Sequence, residues 1–241
     1  MGQLLLVLIA EIFGLYLLSR RLTNQLYHTL LLLFRHRSVA IPTIIIILFP
    51  GTVIHELSHL FTAEILGVKT GKLTLAPESI EDENIPVGSV ELMETDPFRR
   101  SIIGLAPFVT GLMGLIGLSW ILPNLWRDTL AAYNQEVLFS SPSSYLLLLT
   151  SYLLFCISNT MFSSTEDMKG VIPLASVLGM IGAGMYVTGV RIGITGVLEE
   201  KVVAVLSAIS KSLSVVLVLN LLLYITASAG IWIIKPRVAK K

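Results

Sequence analysis

Apolar residues in this chain fall in long blocks, and the lengths of the blocks predict membrane-spanning helices. Residues 3 to 19 are apolar apart from Gln3, Glu11 and Ser19, which is just long enough to span a bilayer. No basic residue precedes this block and no small-x-small site follows it, so a retained helix is expected rather than a removed signal peptide. A short piece, Leu30 to Phe34, is too short to cross and is expected to lie at the interface. The next block, 40 to 66, is ~40 Å long as a helix, with His55 ~22 Å from its start. Further apolar blocks cover 101 to 122, 145 to 157, 171 to 190 and 202 to 234, the last interrupted by Lys211 and Asn220. The block 101 to 122 carries Gly104, Pro107, Gly111, Gly114 and Gly117, small residues that allow close helix contact in lipid. The pattern predicts an all-α polytopic membrane protein with about five or six transmembrane helices. It forms one membrane-embedded domain over 1–241, with its core at 40–190.

One stretch breaks this pattern. Residues 67 to 100 hold Gly67, Gly71, Pro77, Pro86, Gly88 and Pro97, and seven acids against four basic residues. Within it, Lys72 to Leu75 and Ser89 to Leu92 alternate polar and apolar residues, as short strands do. A small β-containing extramembrane segment is therefore expected after the 40–66 helix, with a solvated acidic loop at 78–84.

Composition agrees with a lipid bilayer as the solvent. Apolar residues make up 54% of the chain, charged residues 14%, and the mean hydropathy is +0.81. A soluble domain would carry about 25% charged residues. The net charge of +1 implies no nucleic-acid partner. The lone cysteine, Cys156, lies in an apolar run and is read as a small buried residue. Arg20, Arg21, Arg35 and Arg37 predict a cytoplasmic loop over 20–38, and the basic tail from Lys235 a cytoplasmic end. These two expectations conflict. They require an even number of crossings between them, whereas five apolar runs intervene, and the interrupted 145–190 region is the suspect.

The chemistry lies inside the 40–66 block, as His55-Glu56-Leu57-Ser58-His59. On a helix, positions i and i+4 share a face, so His55 and His59 can grip one metal ion. Glu56 lies beside them as a candidate general base for an attacking water. Ionisable groups at membrane depth are costly and mark function. Together these residues point to a metal hydrolase whose site lies inside a bilayer. A buried His–Glu hydrogen-bond network and a proton pathway are the plainer readings of the same residues. A catalytic zinc usually takes three protein ligands. The other histidines, His28 and His36, sit among the arginines, so a carboxylate is expected as the third. Asp167, between two apolar runs, is the candidate, and its neighbour Glu166 fits the spacing as well. Glu64 is about 140° round the helix from His59 and points away.

At these residues the chain resembles the site-2 protease family of intramembrane zinc metalloproteases. That family pairs H-E-x-x-H with a later N-x-x-P-x-P-x-L-D-G motif. Asn159 and Asp167 match its Asn and Asp, while Phe162 and Ser164 replace the prolines, Glu166 the Leu and Met168 the Gly. Gly104-Leu105-Ala106-Pro107 is loosely similar to the family's middle-helix motif. The resemblance implies Zn²⁺ held by His55, His59 and Asp167, and Glu56 as the catalytic base. It also implies Asn159 at the substrate, although that residue equally suits satisfying a broken helix. The implied activity is cleavage of a transmembrane protein substrate by a multi-pass protein of the cell membrane. The strand-like segments are expected to hold substrate extended by edge pairing. Two other readings are an inactive relative that binds membrane partners and a proton or metal-ion transporter using the same cluster. Transporters often show two similar halves, and this chain shows none.

Overall fold

Five helices in the computed structural model are long and apolar enough to cross a membrane. They are α1 (Gly2–Phe34), α2 (Arg37–Ile65), α3 (Pro97–Asn134), α4 (Pro142–Thr160) and α5 (Val197–Val238). Between α2 and α3 lie β1 (Thr70–Thr74) and β2 (Ser89–Leu92), an antiparallel pair that matches Leu73 with Val90. The structure describes residues 2–75, 89–93, 95–162, 176–177, 179–181, 183–185, 187–189 and 196–238. The chain is thus an all-α polytopic membrane protein with one small two-stranded sheet.

Two boundaries differ from the expectation. The loop at 20–38 is not a loop, because α1 runs unbroken to Phe34. No Gly or Pro lies between Leu15 and Ile41, and arginine is a good helix former. Arg20 stays on the helix with its guanidinium 5.2 Å from the Tyr16 ring centre, and the chain turns only at Arg35, where φ is 61°. Likewise α3 does not stop with the apolar block at 122 but runs on to Asn134. Residues 124–134 contain no Gly or Pro, and Glu136, with a φ of 60°, follows the helix end. The strands and the 40–66 and 145–157 helices fall where the pattern put them, within a few residues. The run 171–190 is described only in part, and is helical at 176–177, 179–181 and 183–185.

Packing fixes the helix directions. Glu11 bonds Ser214 and Gln25 bonds Ser228, both 203 residues apart, so α1 and α5 run parallel. Their last residues therefore lie at one side of the bundle, whatever connects them. Arg35, Arg37 and the basic end of α5 share that side. Among the described residues four long helices, α2, α3, α4 and α5, follow the first basic flank, and the parallel pairing of α1 with α5 puts both basic flanks on one side.

The core stripe of α1 is Leu8, Glu11, Leu15, Ser19 and Leu22, spaced by three and four residues as one helix face requires. Glu11 faces the partner helix, accepting a hydrogen bond from the Ser214 hydroxyl at 2.5 Å.

Close approach is set by glycine. A Cβ on Gly51 would lie 2.5 Å from both the Cys156 carbonyl oxygen and Thr160 Oγ1, so α2 touches the α4 backbone there. A Cβ on Gly111 of α3 would lie 2.8 Å from Met161 Cβ. We expect Gly51→Ala to destabilise the protein by ~2 kcal/mol, because the obstacle is backbone and cannot rotate away. Gly117, with nothing within 4 Å of its Cβ position, is the control. Thermal unfolding in detergent should show a lowered midpoint for Gly51→Ala and none for Gly117→Ala.

The same contacts show that α4 ends deep in the bundle. Phe155 and Cys156 pack with Leu223 and Tyr224, and Phe162 packs with Leu213 and Val216, so α4 runs antiparallel to α5. Its last turn meets Asn220, which is 220 − 197 = 23 residues from one end of α5 and 238 − 220 = 18 from the other. That is ~35 Å and ~27 Å of helix. A helix can stop at such depth only where protein surrounds the break or a water-filled cavity adjoins it.

Candidate metal centre

The H-E-x-x-H turn sits in the second half of α2, and all three of its ionisable residues are buried. His55 and His59 are 4% and 6% exposed and Glu56 is 4% exposed, which excludes a solvated helix face. The two imidazoles meet edge to face, with ring centres 4.9 Å apart and planes at 80°. Spacing of four residues brings them to one face, as expected.

The bond from His59 to α3 carries chemical information. His59 Nδ1 lies 2.9 Å from the backbone carbonyl of Ile103. A carbonyl only accepts, so Nδ1 bears a proton in this bond. Metal-binding histidines are commonly oriented this way, with the second nitrogen donating to a carbonyl or carboxylate. Ile103 is itself fully buried, so its carbonyl is held firmly. Sequence alone gave no sign of this bond, because Ile103 contributes only its backbone.

Beneath the motif α2 is modified by Pro50, which withholds the N–H that the Ile46 carbonyl would take. One residue on, the Ile47 carbonyl accepts from Tyr152 Oη at 2.9 Å and from Cys156 Sγ at 3.2 Å, both on α4. Neighbouring helices supply donors around a proline in this way. Cys156 is buried, as read from the sequence. Ser58 Oγ donates to the His55 carbonyl at 2.6 Å, so this hydroxyl is satisfied within the helix. Gly67, with φ +68°, closes α2 as a Schellman end: its N–H bonds the Glu64 carbonyl and that of Val68 the Ala63 carbonyl. The chain thereby turns out of the helix into β1. Asp96 opens α3, its Oδ1 accepting from the N–H groups of Phe98 and Arg99. Both caps bracket the sheet.

The nominated residues fall into three groups. His55, Glu56 and His59 come together. Asn159 is buried on the last turn of α4, where its Nδ2 donates to the Phe155 carbonyl at 2.8 Å and to Asn220 Oδ1 at 3.2 Å. Asp167 and its rival Glu166 lie outside the described residues. Among the described residues no group of three or more His, Cys, Asp or Glu able to hold a metal is present. His28 and His36 are exposed and Glu64 is exposed, so none of them joins the motif. Gly51, His55 and His59 follow one another at intervals of four on α2, and Gly51 is where α4 touches it. The chain leaves α4 ~6 Å below His55, one helical turn away.

This is the fold of a multi-pass α-helical membrane protein with a buried His-Glu-His cluster. The chain matches no protein-family model, no curated protein and no solved structure.

Proposed function

We propose that this protein is an intramembrane zinc endopeptidase of the site-2 protease type, acting on transmembrane segments in the cell membrane. The observation that carries the reading is the His59 Nδ1 bond to Ile103, which prepares one imidazole of a buried H-E-x-x-H pair for a metal. Two imidazoles one helical turn apart, one of them with its Nδ1 proton position fixed, are a donor set that suits Zn²⁺. His55, His59 and Asp167 would hold the ion. From Phe162 to Asp167 is five residues, enough chain to reach ~17 Å, against the ~6 Å rise to His55.

Bound zinc supplies a polarised substrate carbonyl and a water of lowered pKa. The chain's own residues do the rest. Glu56 takes the proton of the attacking water as its oxygen adds to the scissile carbonyl carbon. It returns that proton to the amide nitrogen as the C–N bond breaks. Burial of the motif keeps bulk water away, which strengthens each of these interactions. The sheet beyond Gly67 suits a substrate that must be extended before an amide is accessible. Among the described residues β2 pairs only with β1, and a strand-like segment adds to a sheet edge through backbone hydrogen bonds.

Metal analysis of the purified protein tests the reading. We expect about one zinc per chain, lost on His55→Ala, and cleavage of a single-span model substrate only by the zinc-loaded form. A protein that purifies free of zinc and takes up none from buffered micromolar zinc would be incompatible with this function.

A further inference from the structure

Three polar side chains form a hydrogen-bonded group between α4 and α5, separate from the His-Glu-His cluster of α2. Asn220 is fully buried, Ser158 is fully buried, and Asn159 is 8% exposed. Asn220 Nδ2 donates to Ser158 Oγ at 2.9 Å, and Ser158 Oγ donates to the Phe155 carbonyl at 3.0 Å. Asn159 Nδ2 donates to the Phe155 carbonyl and to Asn220 Oδ1, and lies 3.3 Å from Ser158 Oγ. The Phe155 carbonyl can only accept, so the atom facing it must be the Asn159 nitrogen, and the amide cannot be turned over. Asn220 Oδ1 fixes the same orientation from the other helix.

The consequence is a single unspent group. Asn159 Oδ1 is buried and makes no hydrogen bond. A buried acceptor left without a donor is costly, and one in a native structure calls for an explanation. The group that answers an amide oxygen is an N–H donor. At the last turn of α4, which touches α2 one helical turn from His55, the fitting donor is a peptide N–H of a bound, extended segment.

We propose that Asn220, with Ser158, is a positioning residue that holds the Asn159 amide so that Oδ1 accepts an N–H from the substrate backbone. The inference deepens the protease reading and rests on it for the nature of the ligand. It also explains a polar residue in the middle of α5 that the H-E-x-x-H chemistry does not use.

The test measures binding apart from cleavage. The full-length Glu56→Gln protein in detergent is titrated with a fluorescent single-span transmembrane peptide that carries a helix-weakening Gly-Ser pair. Asn159→Ala and Asn220→Leu should each weaken binding about tenfold, and the double variant should bind no more weakly than either, since both remove one bond. In the active protein, Asn220→Leu should raise KM by the same factor with kcat and zinc content unchanged. A merely structural role would lower thermal stability and leave the affinity of the folded protein alone. Should Asn220→Leu fail to fold, Ser158→Ala frees the Asn220 amide more gently and should weaken binding about threefold. Peptide affinity within twofold of the parent in the folded variants, an effect of Asn220 that persists without Asn159, or no peptide binding at all would overturn the proposal. Peptide binding that depends on Asn220 in a protein that holds no zinc and cleaves nothing would remove the protease reading and leave this one standing.

Discussion

Glu56→Gln should reduce single-turnover cleavage of a transmembrane substrate by about 10³-fold, within the range that general-base catalysis contributes, while zinc stays bound. Glutamine has nearly the shape of glutamate but cannot take a proton at neutral pH. Glu56 is buried on the same helical turn as the two histidines, so the variant leaves the packing of α2 against α3 and α4 unchanged. It lies one residue from His55, and on a helix that places it about 100° from His55 and about 60° from His59. That is near enough to reach a water beside the metal and wrong for joining the two histidines as a ligand. Cleavage and metal content must be measured on the same preparation, because loss of zinc would also abolish activity. Activity within tenfold of the parent would remove Glu56 from the role of base. Loss of zinc together with activity would make Glu56 part of the metal's support.

What the sequence showed, and what it did not, follows from which interactions leave a periodic mark. Blocks of apolar residues long enough to cross a bilayer identified α2 and α4, and residue alternation identified β1 and β2. The H-E-x-x-H pair was legible because two ligands one turn apart must be written into the sequence at that spacing. The length of α1 was not legible. A charged pair such as Arg20-Arg21 reads as a membrane boundary, yet arginine is comfortable in a helix and Arg20 lies over Tyr16. The hydropathy pattern locates the change of solvent and not the end of the hydrogen-bond ladder. The same holds for α3 beyond Pro123. The parallel pairing of α1 with α5 depends on contacts such as Glu11–Ser214, 203 residues apart, and nothing local encodes them. Asn220 could be seen as an interruption of an apolar run, but its partners Ser158 and Asn159 could be found only by folding α4 against α5. The orienting carbonyl of Ile103 left no mark at all, since any residue has one.

The ligand choice between Asp167 and Glu166 has an effect of comparable size. We expect Asp167→Ala to lower zinc affinity at least ~100-fold, more than the loss of an outer partner does, and Glu166→Ala to retain the metal. One observation favours Asp167. It follows Asn159 by 167 − 159 = 8 residues, the spacing of the site-2 protease motif. The described chain ends its α4 helix one turn below His55, on the face of α2 that carries both histidines. With two histidines and no third ligand, zinc would be held only loosely and exchange rapidly with a chelator. The measurement is zinc retained after dialysis against a competing chelator of known affinity, on parent, Asp167→Ala, Glu166→Ala and Asp167→Glu. The last variant keeps the carboxylate and lengthens its arm by one methylene, so partial retention is expected. Zinc lost from Glu166→Ala and kept in Asp167→Ala would exchange the two roles, and zinc kept in both would place the third ligand elsewhere in the chain.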